Sequence, residues 1–166
     1  MSAEIAQPIV EGLLAQERLR ERISKIDLPE ALWEARAGAS YLYLMTNGCL
    51  RRMSGAHFCE HHALLEAQAE ELFATADAIT DCLRKMGGGG ARPIYHGTFP
   101  RASGDDNVDC EFGLDQLRIE NQILTGGLRT AEALCRHDIV TASLIDVWVD
   151  EARRRAWILF DAMSND

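Results

Sequence analysis

A chain of 166 residues with 47% apolar and 26% charged side chains can bury one core, which excludes disorder, and no apolar run approaches the ~20 residues of a bilayer span. The formal net charge of −9 argues against a body that binds nucleic acid or anionic membrane through cation density, and suits cationic cargo instead. Met1 to Val10 lack the basic and apolar regions of a secretory signal, so the expected protein is soluble and cytoplasmic, and five cysteines with no CxxC pair read as reduced, packed thiols.

The helical period runs through almost the whole sequence, with no alternating strand pattern and no internal repeat. Residues 1–26 read as an N-terminal extension in which Ile5 to Ile26 forms an additional helix, ahead of a bundle over residues 27–163, all in a single domain. The first bundle helix starts at Asp27, tolerates Pro29 in its first turn, and runs through Leu32, Ala35, Ala39 and Leu42 toward Arg52, with Gly48 weakening its last turns. A long second helix spans His57 to Met86, because Phe58, Leu65, Leu72, Ile79 and Met86 recur every seven residues before the glycine run Gly87 to Gly90. Residues 87–112, with the turn-rich run Arg101 to Asn107, form the one irregular stretch. A connection of that length suits second and third helices that lie parallel and need a crossover. The third helix carries Leu114, Leu117, Asn121, Leu124, Leu128, Ala131 and Cys135 at steps of three and four. In the fourth, Ile145, Val149, Ala152, Ala156, Leu159 and Met163 form the stripe, and Trp148 and Trp157 widen it. The class is all-α.

Chemistry concentrates on the second helix, where His62 and Glu66 lie one turn apart and Asp77 and Asp81 lie one turn apart. At 100° per residue, Glu66, Asp77 and Asp81 fall about 40°, 60° and 100° from His62, along one edge of the apolar stripe. Fifteen residues of helix separate His62 from Asp77 by roughly 22 Å, so one chain cannot bring all four to one metal. An antiparallel second copy can: a twofold axis places His62 and Glu66 of one subunit against the partner subunit's Asp77 and Asp81. The result is two equivalent sites of one imidazole and three carboxylates, a donor set for Fe(II) or Mn(II).

The surrounding sequence, Gly55-Ala56-His57-Phe58-Cys59-Glu60-His61-His62 followed by Glu70-Glu71-Leu72-Phe73, Asp77 and Leu83 to Gly88, resembles the second-helix signature of the Dps miniferritins. The resemblance resumes with Asp138, Thr141-Ala142, Leu144 and Trp157-Ile158-Leu159, and covers about residues 28–163. It implies a ferritin-like four-helix bundle with a short extra helix in the crossover between the second and third helices. It also implies a hollow homo-oligomer, a dodecamer built from dimers, which takes up Fe(II), oxidises it with peroxide and stores the ferric oxide. Carried over residue by residue, His62, Glu66, Asp77 and Asp81 fall on the ferroxidase ligand positions, with Asp81 where a glutamate is usual.

The sequence departs from that pattern on the first helix. The family has a second ligand histidine twelve positions before the one matched by His62, followed by a tryptophan; here Leu50 and Arg51 stand there. Leu50 binds no metal, and Arg51 or Arg52 would compete for the carboxylates as an internal cation, so the ferroxidase site is incomplete and its activity weakened. Zn or Mn held without redox is an alternative cargo, and a non-catalytic cage or bundle with a structural or partner-binding role is the alternative function. Residues 1–17 contain no Lys or Arg, and Arg18-Arg20-Arg22 and Arg153-Arg154-Arg155 lie among acids and read as solvated helix faces, so DNA binding is not expected.

Overall fold

Three of the four helices begin or end where the sequence supplies a cap. In the first, α1 (Leu28–Arg52), Asp27 accepts the Glu30 amide at 2.9 Å and Pro29 sits in the first turn, where no intrahelical donor is needed. The second, α2 (Phe58–Lys85), closes at Gly87, whose φ of 78° is the left-handed conformation that glycine adopts without strain. The third and fourth are α3 (Cys110–Leu134) and α4 (Ile139–Ser164), the latter capped by Asp138. The structure is a computed structural model that describes residues 26–52, 58–87, 110–135 and 138–164. Of the N-terminal helix expected over Ile5 to Ile26, residues 5–25 lie outside the described residues and Ile26 is not helical; the short helix implied for the crossover lies outside the described residues as well.

The pairings fix the topology. Arg36 reaches Thr80 while Tyr43 packs on Phe73, so α1 and α2 run antiparallel. Thr75 meets Glu151 while Glu71 meets Arg154 and Arg155, so α2 and α4 are antiparallel as well. Only four residues, 135–138, separate α3 from α4 in the sequence, and the two helices pack along their length. With α4 antiparallel to both, α2 and α3 are parallel and sit on a diagonal, since neither packs on the other. That is the arrangement the long crossover required. Against α3, α1 presents small residues, and a methyl added at Gly38 would rest 3.5 Å from Leu124.

The expected stripes are the core. Leu65, Leu72 and Ile79 of α2, Leu117 and Leu128 of α3, and Ile145 and Leu159 of α4 have no exposed surface. Two details differ from the sequence reading. The helix of α3 begins at Cys110, a turn before the first stripe leucine, so the irregular stretch ends earlier than Phe112. A hydrophobic period marks the buried face, whereas the helix itself extends beyond it. The first helix runs to Arg52 as expected, with Gly48 inside it and the Arg52 side chain donating to the Gly48 carbonyl at 3.1 Å. Trp148 joins the core at 6% exposure, but Trp157 is 64% exposed and faces a groove between α3 and α4.

The arginine run on α4 also divides. Arg153 and Arg154 are exposed, but Arg155 is completely buried, which corrects the reading of all three as one solvated face. Its Nε donates to Asn121 Oδ1 at 2.9 Å and its Nη1 to Glu71 Oε2 at 3.3 Å, while Arg154 holds the other Glu71 oxygen at 2.5 Å. Burial lowers the Arg155 guanidinium from its ordinary value, and the hydrogen bond and charge of Glu71 oppose that shift. Among the described residues Gln68 Nε2 and Arg155 Nη2 are buried and find no hydrogen-bond partner. A polar layer therefore crosses the bundle and ties α2 to both α3 and α4.

Candidate metal half-sites on the second helix

Because the heptad leucines of α2 point inward, the residues between them form an outer face. That face holds Glu66, Glu70, Phe73, Asp77 and Asp81, all exposed. At its N-terminal end His62 Nδ1 lies 3.7 Å from Glu66 Oε2, a pair 36% and 65% exposed that follows from the one-turn spacing. At its C-terminal end Asp77 lines a groove of about 260 Å³ between α1 and α2, with Arg36, Ser40, Tyr43, Phe73 and Thr80. Asp81 is one turn further on and already engaged: Arg84 Nη1 donates to its Oδ1 at 2.6 Å.

The four expected ligands are thus present as two half-sites at opposite ends of one exposed helix face, and the chain does not bring the halves together. Among the described residues no three His, Cys, Asp or Glu side chains are grouped so that they could hold a metal ion. Each half by itself offers two donors, too few for the oxygen-rich shell of Fe(II) or Mn(II).

Residues that might have replaced the absent imidazole are placed elsewhere. Leu50 is packed against the core cluster, as is Cys49. His61 is 5% exposed, so it faces the interior rather than the outer face of α2. Arg51 and Arg52 fold back along the last turn of α1 and donate through Nε to the carbonyls of Asn47 and Gly48, at 3.2 and 3.1 Å. Among the described residues neither side chain is bonded to Glu66, Asp77 or Asp81, and the competition expected from sequence concerns the site formed between subunits.

A cation that the sequence reading passed over lines the same groove as Asp77. Arg36 donates through Nε to Thr80 Oγ1 at 2.8 Å, and its guanidinium carbon lies 5.4 Å from the centre of the Trp33 ring. Its signal in the sequence was weak, since the i, i+3 pairing of Trp33 with Arg36 says nothing about a neighbouring helix.

At the other end of α4, Asp138 is accounted for by capping. Its Oδ2 accepts the Thr141 hydroxyl at 2.6 Å and its Oδ1 the Thr141 amide at 3.1 Å, and these bonds hold its carboxyl below the usual range. Nearby, burial pushes the Cys135 thiol up, with the charges of Asp138, Cys82 and Glu132 adding to the effect. That thiol is poorly suited to act as a thiolate ligand.

Searches of known proteins find the same architecture. The fold is similar to that of antigen TpF1 from Treponema pallidum, with a TM-score of 0.74 at 17% identity, over 82% of this chain and 90% of that one. It is also similar to Dps from Thermosynechococcus elongatus, with a TM-score of 0.67 at 21% identity, over 89% and 93% of the two chains. No protein-family model matches the sequence, and no curated protein matches it. At these identities the likeness establishes the fold: the chain is a ferritin-like four-helix bundle.

Proposed function

We propose that this protein is a Dps-like iron-binding subunit that sequesters Fe(II) at sites completed across a twofold axis, with ferroxidase activity weakened by Leu50. The observation that carries this reading is the split of the ligand set. His62 with Glu66 and Asp77 with Asp81 stand at opposite ends of one exposed face of α2, and each pair is too small to hold iron alone. An antiparallel copy of α2 pairs the halves, giving one imidazole and three carboxylates at each of two sites. The likeness of the fold to Dps from Thermosynechococcus elongatus supports the reading, and among the described residues the outer face of α2 is exposed. The finer expectations, a hollow dodecamer and peroxide as the favoured oxidant, belong to the same proposal.

The chain's own groups would do the following. The three carboxylates bind Fe(II) as anionic oxygen donors and stabilise the higher charge of Fe(III) more strongly, which favours loss of an electron. His62 supplies the one nitrogen donor, and Leu50 supplies none.

A second reading, a cage or bundle subunit without redox activity, is favoured by a specific contact: Arg84 already occupies Asp81. One experiment separates them. Anaerobic addition of Fe(II) followed by peroxide should give a ferric absorbance in a soluble particle, and Leu50→His should raise both Fe(II) affinity and oxidation rate. Bulk precipitation with wild type and variant alike would leave the non-catalytic reading standing.

A further inference from the structure

We propose that Arg36 is the built-in counter-ion of this site: in the metal-free assembly it receives the partner subunit's Glu66, and Fe(II) must displace it to bind. The inference rests on the twofold pairing proposed above and adds to it a competing cation.

The geometry follows from the register. If His62 faces the partner subunit's Asp81 and Glu66 faces the partner subunit's Asp77, the axis crosses α2 between Glu71 and Leu72. In the same register the partner subunit's Ala63 meets Thr80, the residue that anchors Arg36. The groove that Arg36 and Asp77 line together is then covered by the partner's α2, with the partner subunit's Glu66 entering beside both. Ala63 and Ala67 are exposed alanines, small enough for that approach.

Electrostatics requires a cation there. Without metal, the pairing brings Glu66, Asp77 and Asp81 to one place, and three carboxylates in a partly closed contact repel one another. Arg84 neutralises Asp81 but is itself 68% exposed and bonded along its own helix. Arg36 is the better held of the two. Thr80 fixes its Nε, Thr80 in turn donates to the Ala76 carbonyl at 2.8 Å, and the Trp33 ring supports the guanidinium. Among the described residues its two terminal amino groups make no hydrogen bond, which leaves them for a carboxylate. Arginine stays charged at any physiological pH, so the cation cannot leave by losing a proton. It can only be displaced.

Arg36→Gln should therefore move two measurements in opposite directions. Self-association of the metal-free protein, followed by sedimentation at rising salt, should weaken by about tenfold and lose much of its salt dependence. Affinity for Fe(II), titrated anaerobically by calorimetry, should rise by about tenfold once the competing cation is gone. Arg36→Lys keeps the charge and should restore metal-free association. If Arg36 merely packed α1 on α2, loss of the side chain would lower both quantities together, and that result overturns the inference. It is overturned equally if wild type associates and binds two Fe(II) per dimer while Arg36→Gln changes neither property; the twofold site itself would then stand. If wild type neither associates nor binds Fe(II), the twofold reading falls and the role of Arg36 falls with it. Circular dichroism and thermal melting of both variants verify that the bundle is intact.

Discussion

Arg155 shows how far one side chain can depart from its sequence neighbourhood. It is fully buried, yet Glu71, the carboxylate that balances it, is shared with Arg154 and is 34% exposed. Removing the carboxylate leaves a buried cation without its partner, whereas removing the cation leaves Asn121 Oδ1 short of one donor and Glu71 still paired. Glu71→Ala should thus cost about 3 kcal/mol, the low end for a buried pair because Glu71 is partly solvated, and Arg155→Met about 1 kcal/mol. Urea unfolding of the two variants checks the order, and an equal or reversed cost would show that the layer is not held by charge. Asp138 carries the pH dependence at this scale. Its folded carboxyl lies below the ordinary value because the Thr141 hydroxyl, and then the Thr141 amide, bond the ionised form. A lowered folded value means stability that is present above the unfolded carboxyl's titration and lost as pH falls through the folded one. Wild type should therefore exceed Asp138→Ala at neutral pH, and the two melting temperatures should converge as pH falls below the ordinary carboxylate range and through the lowered folded value.

At the scale of the helix, α2 has two faces with separate duties, and adjacent residues test them. Leu72 has no exposed surface, while Phe73 is 63% exposed and touches Tyr43 with ring centres 5.7 Å apart. Leu72→Ala should cost about 2–5 kcal/mol of folding stability and leave association unchanged at temperatures where the bundle is folded. Phe73→Ala should cost at most about 1.5 kcal/mol within the chain and weaken self-association, because Phe73 lies close to the proposed axis. Thermal melts and sedimentation of the pair decide it. These faces were legible in the sequence because a seven-residue period needs only the chain's own spacing, which is why the stripes of α2 and α3 coincide with the core. Arg155, Arg36 and Trp157 were not, because burial of a charge and exposure of an indole depend on what the neighbouring helix presents. Two hints were there: Asn121 interrupts a leucine stripe, and Arg155 lies one turn from Ala152 and Leu159 on the stripe of α4.

For the whole molecule, the legible part of the site is its division. The sequence spacing already put 15 residues of helix between His62 and Asp77, roughly 22 Å, and no folding of a single bundle shortens a helix. What the spacing could not supply was the surroundings, the core position of Leu50 and the arginines beside Asp77 and Asp81. The division has a consequence that only an assembly can display. His62→Ala destroys the imidazole half of both sites in a homodimer, and Asp77→Ala destroys the carboxylate half of both, so each variant alone should lose Fe(II) binding. In a heterodimer of the two, the damaged halves meet each other at one site, and the intact His62 half meets the intact Asp77 half at the other. Random pairing of an equal, refolded mixture should therefore recover about a quarter of the wild-type sites, one in each heterodimer. Anaerobic Fe(II) titration of the mixture reads this directly. Recovery cannot arise if each chain binds iron by itself, because every chain in the mixture carries a broken site; a mixture that assembles normally and recovers nothing would remove the shared metal site and leave the non-catalytic bundle.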